Sequence, residues 1–114
     1  MGSNLAPSSY EEYTMLFDAL SHPMRIKIMG ILSQQRRYVS ELAKLVHISR
    51  PLLYMHLKKL EEAAIVTASY EISPSGKTMR YYEIAPFDIH LTPELLTTLA
   101  QTIPADGAMK NKQG

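Results

Sequence analysis

Ten of the chain's twelve lysines and arginines lie between residues 21 and 80, facing four glutamates, so this stretch carries a net +6. Residues 1–20 carry −3 and residues 81–114 carry −2, which brings the chain of 114 residues to +1 overall. A cationic centre between acidic ends is the charge pattern of a polyanion-binding module, with a merely solvated surface as the alternative. Within the centre, Arg50 is best suited to read a base, because a guanidinium matches guanine O6 and N7 bidentately, worth about 1–3 kcal/mol of discrimination. Tyr54 and Met55 offer a hydroxyl and a thymine-methyl contact, while Lys58 and Lys59 suit phosphates, which position without specifying. Ser40 and Ser49 are helix caps first, with hydroxyls that also reach phosphate, and Lys77 and Arg80 suit the backbone or the minor groove. The alternatives are structural: a capping Arg50 or one paired with Glu41, lysines paired with Glu62 on a solvated face, and a polar hairpin without a partner.

Other chemistries find little support. The absence of cysteine removes disulfides, thiolate metal sites and cysteine nucleophiles. No Gly-rich phosphate loop, G-x-S-x-G or H-E-x-x-H occurs, so no catalytic residue is assigned. His22 and His47 have no motif around them, and His56, on the flank of an apolar stripe, reads as a packed, hydrogen-bonded histidine. No apolar run approaches the roughly 18 residues that a membrane span needs, and the first residues lack a secretory signal, so a soluble cytoplasmic domain is expected.

The elements that must position these residues follow from hydrophobic period and capping. Tyr13, Leu16, Phe17 and Leu20 recur as one face of a helix, with Ser9 and Glu12 as its capping box. Pro23 opens a second helix, striped by Met24, Ile28, Ile31 and Leu32 and ending near Gln34. After a connector at Arg36–Tyr38, with room for one extended pair, Ser40 caps a short third helix through Val46. Ser49 caps a fourth, with Pro51 in its first turn and Leu53, Leu57, Leu60 and Ala64 inward. Two short capped helices joined by a tight turn outline a helix-turn-helix. The period then shortens to two: residues 66–72 and 79–84 form a hairpin around the turn cluster Ser73–Lys77, and Tyr81 and Tyr82 point to opposite faces. Thr92-Pro93-Glu94 starts a last helix striped by Leu95, Leu96, Leu99 and Ile103. The expected fold is mainly α with a small β-hairpin: a disordered lead-in at 1–8, one domain at 9–103 and a flexible tail at 104–114.

The stretches ALSHPMRIKIMGIL (19–32) and VSELAKLVHISRPLLYMHLKKLEEAAIV (39–66) resemble the ArsR-like winged helix-turn-helix regulators. The matches are Leu20, Pro23, Arg25 and Ile28, then Ser40-Glu41-Leu42-Ala43, Ser49, Pro51, His56-Leu57 and Leu60, and in the wing Gly76-Lys77 and Tyr81-Tyr82. The resemblance spans roughly residues 16–84 and implies a dimeric, DNA-binding transcriptional regulator, a repressor, of a prokaryotic cytoplasm. It also implies that His56 lies near the DNA backbone.

Two departures stand out. The family usually has Gly where Ala64 stands, and Ala in a left-handed turn costs about 1 kcal/mol or more, so the fourth helix is expected to end differently here. Metal-sensing members carry cysteines at the start of the third helix, where this chain reads Tyr38-Val39-Ser40-Glu41-Leu42. Asp88-Ile89-His90 matches the opening of a zinc site in some relatives, yet Gln101 and Pro104 follow and no further histidine does. No metal or cofactor is expected, and the effector is left open.

A three-helix core with a hairpin cannot cover both the first and the last apolar stripes. Tyr13, Leu16, Phe17, Leu95, Leu96, Leu99 and Ile103 are therefore expected at a homodimer interface. The partner is duplex DNA, with a winged-helix protein-interaction module lacking operator binding as the rival reading.

Overall fold

The computed structural model describes residues 7–106, so residues 1–6 of the expected lead-in and 107–114 of the expected tail lie outside the described residues. Helix α1 (Tyr10–Ala19) starts at Ser9, whose side chain accepts from the Glu12 N–H at 3.2 Å. The reciprocal half of the capping box lands one residue earlier than its usual place, with the Glu12 carboxylate accepting from the Ser8 N–H at 2.7 Å. Helix α2 (Pro23–Leu32) has a cap the sequence reading did not assign: the His22 Nδ1 accepts from the Met24 N–H at 3.1 Å.

Strand β1 (Arg37–Tyr38) leads directly into α3 (Val39–Val46). The expected Ser40 cap is corrected here, because Tyr38 occupies the N-cap without a side-chain bond and Ser40 lies inside the first turn. Pairing of β1 with the sheet carries the chain into the helix two residues early, so no serine is needed to start it. Helix α4 (Arg50–Glu62) does begin at Ser49, which accepts from the Leu52 N–H at 3.3 Å, with Pro51 in its first turn.

Both helices of the helix-turn-helix end in the same way. After α3, His47 is left-handed at φ 57, and the Ile48 N–H reaches back to Ala43 O; after α4, Ala64 is left-handed at φ 63 and the Ile65 N–H reaches Leu60 O. These are Schellman terminations built without glycine. The expectation that Ala64 would end its helix differently is therefore overturned. So is its place in the buried stripe, since it lies beyond the helix and is exposed. What holds it is the next residue, because Ile65 and Val66 are buried and the chain must turn at once to bury them.

Strands β2 (Val66–Ile72) and β3 (Thr78–Ile84) pair antiparallel from Val66↔Ile84 to Ile72↔Thr78, and β1 adds to the other edge of β3, giving the order β1-β3-β2. The hairpin loop is a turn with Pro74 at its second position and Gly76 at φ +87, closed by Gly76 N–H to Ser73 O at 2.8 Å. Helix α5 (Pro93–Thr102) is capped by Thr92 and packs against α1. The core joins Leu16, Ile28, Leu32, Leu42, Leu53, Leu57, Leu60, Val66 and Tyr82 from α1 to α4, β2 and β3, whereas β1 and α5 bury no residue. The architecture is a winged helix-turn-helix, in the expected order.

Candidate nucleic-acid interface

The helix-turn-helix presents α4 edge-on to solvent. Leu53, Leu57 and Leu60 are fully buried, which turns Pro51, Leu52, Met55, Lys58, Lys59 and Glu62 outward. Met55 is 66% exposed and Leu52 41%, an apolar pair on a polar face that suits thymine methyl groups. Arg50, the first residue of the helix, is exposed, and Glu41 is taken by Arg37 at 3.0 Å, so the expected alternative of an Arg50–Glu41 pair is not formed.

The basic centre divides by what each cation already holds. Arg36 is bidentate with Glu71 across the sheet and stacks 4.0 Å over the Tyr81 ring, so it is committed to the fold. Arg25 donates from Nε to the His56 Nδ1 at 3.2 Å and from Nη1 to the carbonyls of Asp18 and Ala19, tying α1, α2 and α4 together. Arg80 points its guanidinium at the rings of Tyr54, Tyr70 and Tyr82, 5.1–5.5 Å from each centroid. Among the described residues, Lys27 on α2 and Lys44, Arg50, Lys58, Lys59 and Lys77 have no ion pair and are exposed.

Their positions are not equivalent. Ser40, Lys44, His47 and Arg50 line one open depression at the turn between α3 and α4. Lys44 was missed by sequence reasoning, although its place one helical turn after Ser40 was readable. Tyr54 and Lys58 meet Arg80 and Tyr82 in a second depression, between α4 and the wing. Lys77 stands alone and exposed at the hairpin tip, so Arg80 does not join it there. Lys59 turns the other way, into a depression with Glu11, Asp18 and Glu62.

His56 is buried at 8% exposure, its ring edge-on to His22 at 4.7 Å. Burial first, then repulsion from His22 and Arg25, holds its pKa below the ordinary value. It is the packed, hydrogen-bonded residue that its place beside the stripe predicts. Tyr82 is the core member of the tyrosine pair, at 0% exposure, and Tyr81 packs edge-on against Tyr38 at 5.5 Å. Asp88 and His90 form an exposed pair at 3.4 Å, and among the described residues no group of three or more potential ligands surrounds a metal position.

On α1 and α5, Tyr13 and Phe17 are half-buried with ring centroids 6.0 Å apart, Leu95 and Leu99 are half-buried, and Leu96 and Ile103 are exposed. Leu16 is corrected: at 3% exposure it belongs to the subunit's own core and is not available to a partner. Three residues on from Tyr13 along α1, it falls on the inner edge of the stripe.

A model of the bacterial regulatory protein arsR family matches residues 22–68, which hold α2, the helix-turn-helix and the start of the wing. A helix-turn-helix-type transcriptional regulator of Methanocaldococcus jannaschii is 38% identical over 82 residues, covering 72% of this chain and 85% of that protein. The transcriptional repressor SmtB of Mycobacterium tuberculosis is 38% identical over 66 residues, 58% of this chain and 46% of its own length. A homodimeric winged helix-turn-helix DNA-binding domain from Mycobacterium bovis has a TM-score of 0.60, covering 85% of each chain at 21% identity, a likeness of fold. With more than a third of the residues shared across most of the archaeal relative, and with the matched stretch falling on the helix-turn-helix itself, the chain belongs to the ArsR family of helix-turn-helix transcriptional regulators.

Proposed function

We propose that the chain acts in a prokaryotic cytoplasm as a homodimeric repressor, occupying a pseudo-palindromic operator with α4 in the major groove and the wing against the backbone. The observation that carries this reading is the distribution of uncommitted cations. Lys44, Arg50 and Lys58 line the exposed side of the helix-turn-helix and Lys77 tips the wing, while Arg25, Arg36 and Arg37 are held within the fold by hydrogen bonds and ion pairs. Arg50 reads a base, Tyr54 and Met55 add hydroxyl and methyl contacts, and Ser40, Ser49, Lys58, Lys59, Lys77 and Arg80 serve the backbone. Lys59, among acidic neighbours, contributes least. The role is binding, with no catalytic group and no cofactor. The domain that performs it spans residues 9–103.

Fluorescence anisotropy with mixed-sequence duplex DNA over a salt series tests the reading. Affinity should fall steeply with salt, and Lys77→Ala should lower the logarithmic slope by about one, the signature of one lost phosphate contact. In operator selection, Arg50→Ala should relax preference at one base pair by about 1–3 kcal/mol. Absence of binding at low salt, or binding indifferent to salt, would overturn the proposal and favour a protein partner.

A further inference from the structure

The depression between α4 and the wing holds two polar atoms that the fold leaves without partners. Among the described residues, neither the Tyr82 hydroxyl nor the Arg80 Nε–H has a hydrogen-bond partner, and both are buried. Tyr82 is 0% exposed as a residue, so its hydroxyl is fixed by the packing of the ring. Most buried donors in a native fold are satisfied, and an orphan costs about as much as a lost hydrogen bond. Both residues line one open depression of about 410 Å³, with the Arg80 guanidinium carbon 5.1 Å from the Tyr82 ring centroid, so one acceptor seated there can answer both orphans.

The surroundings narrow the acceptor's chemistry. Burial pushes the Tyr82 pKa up to about 12, so the phenol is a donor at every physiological pH. Arg80 Nε–H is a second donor, and Lys58 on the same wall is an exposed cation. Glu61 and Glu62 line the opposite part of the charge balance, leaving two positive and two negative side chains around the depression. That balance opposes a doubly charged anion and tolerates a singly charged oxygen acceptor. Entry is through Arg80, whose guanidinium rests on ring faces with no hydrogen bond or ion pair among the described residues, so it can rotate without breaking one.

We propose that the crook between α4 and the wing is a subsite for a singly charged oxyanion, with the Tyr82 hydroxyl and the Arg80 Nε–H as its donors and Lys58 as its cation. The oxyanion is either a phosphodiester of the DNA backbone, in which case the subsite deepens the operator-binding reading above, or a free small anion. Cation–π contacts with the three tyrosine rings then hold Arg80 ready in the empty subsite.

The test uses the full chain labelled with ¹⁵N and reads the Arg80 Nε–H resonance, assigned by its loss in Arg80→Lys. Two probes are titrated at constant ionic strength: dimethyl phosphate, with sodium chloride as control, and mixed-sequence duplex DNA. Dimethyl phosphate should move the resonance where chloride does not, and Tyr82→Phe, which keeps the ring and removes the donor, should weaken that binding about tenfold. If duplex DNA also moves it, and Tyr82→Phe weakens duplex affinity to a similar degree, the oxyanion is the backbone's. Movement with dimethyl phosphate alone makes the ligand a free anion. A resonance indifferent to both probes, while the duplex still shifts α4 amides, overturns the subsite and leaves operator binding standing. A duplex that shifts no amide overturns operator binding, and the dimethyl phosphate arm then decides the subsite by itself.

Discussion

Burial disfavours the charged form of the His56 imidazole, and the His22 ring and the Arg25 guanidinium add to that, so its folded pKa lies below 6.5. Between the folded value and 6.5 the unfolded chain binds the proton that the native state refuses, so stability falls as pH drops through this window and is fully held above it. Wild type should therefore lose urea midpoint between pH 7.5 and pH 5.5. His56→Gln, which keeps an acceptor for the Arg25 Nε–H, should lose less; equal losses would remove His56 as the cause. The residue shows how far a sequence can be read. Its burial followed from its place beside Leu57, but its partner Arg25 lies 31 residues away on α2, and no local period reveals that pairing. Arg80 failed to read for the same reason. The sequence pairs it with Lys77 as a backbone or minor-groove contact, yet the packing of the wing against α4 brings Tyr54 under its guanidinium.

Helix boundaries were legible where a side chain makes them and obscure where the tertiary fold does. Ser49 and Thr92 carry their caps in the sequence, and both helices start where those residues say. Helix α3 starts at Val39 because β1 delivers it there, a tertiary cause that left Ser40 misread. Helix α4 ends through Ala64 because Ile65 and Val66 must reach the core, and this overrides the alanine's own preference. The conformation still strains the Cβ, by about 1–2 kcal/mol for an ordinary L-residue. Glycine removes that cost and loses part of the gain to its freer unfolded state. Ala64→Gly should thus stabilise the domain by about 1 kcal/mol in urea denaturation, without moving the α4 register. A destabilised variant would mean that the Ala64 methyl contributes packing against Phe87 and Ile89 along the groove they share.

A ten-residue helix is too short to be stable in water by itself, and α5 buries none of its residues within the subunit. It packs against α1, and its stripe keeps Leu96 at 51% and Ile103 at 40% exposure, while Tyr13 and Phe17 of α1 stay only half-buried. The monomer thus leaves one apolar face uncovered, and a two-fold partner presenting the same face covers both copies at once. Pairing there leaves the exposed residues of α4 and the wing tip uncovered, and the two half-sites they meet are expected about one helical turn, ~34 Å, apart. Leu96→Glu places a charge in the middle of that face without touching the core. It should convert a dimer to a monomer in sedimentation velocity while far-UV dichroism retains the signal of α1–α4. Duplex affinity should fall about a hundredfold, because two linked half-site contacts become one. A dimer that survives Leu96→Glu with its DNA affinity intact would place the interface elsewhere. It would then leave α5 as a helix that its own subunit does not explain.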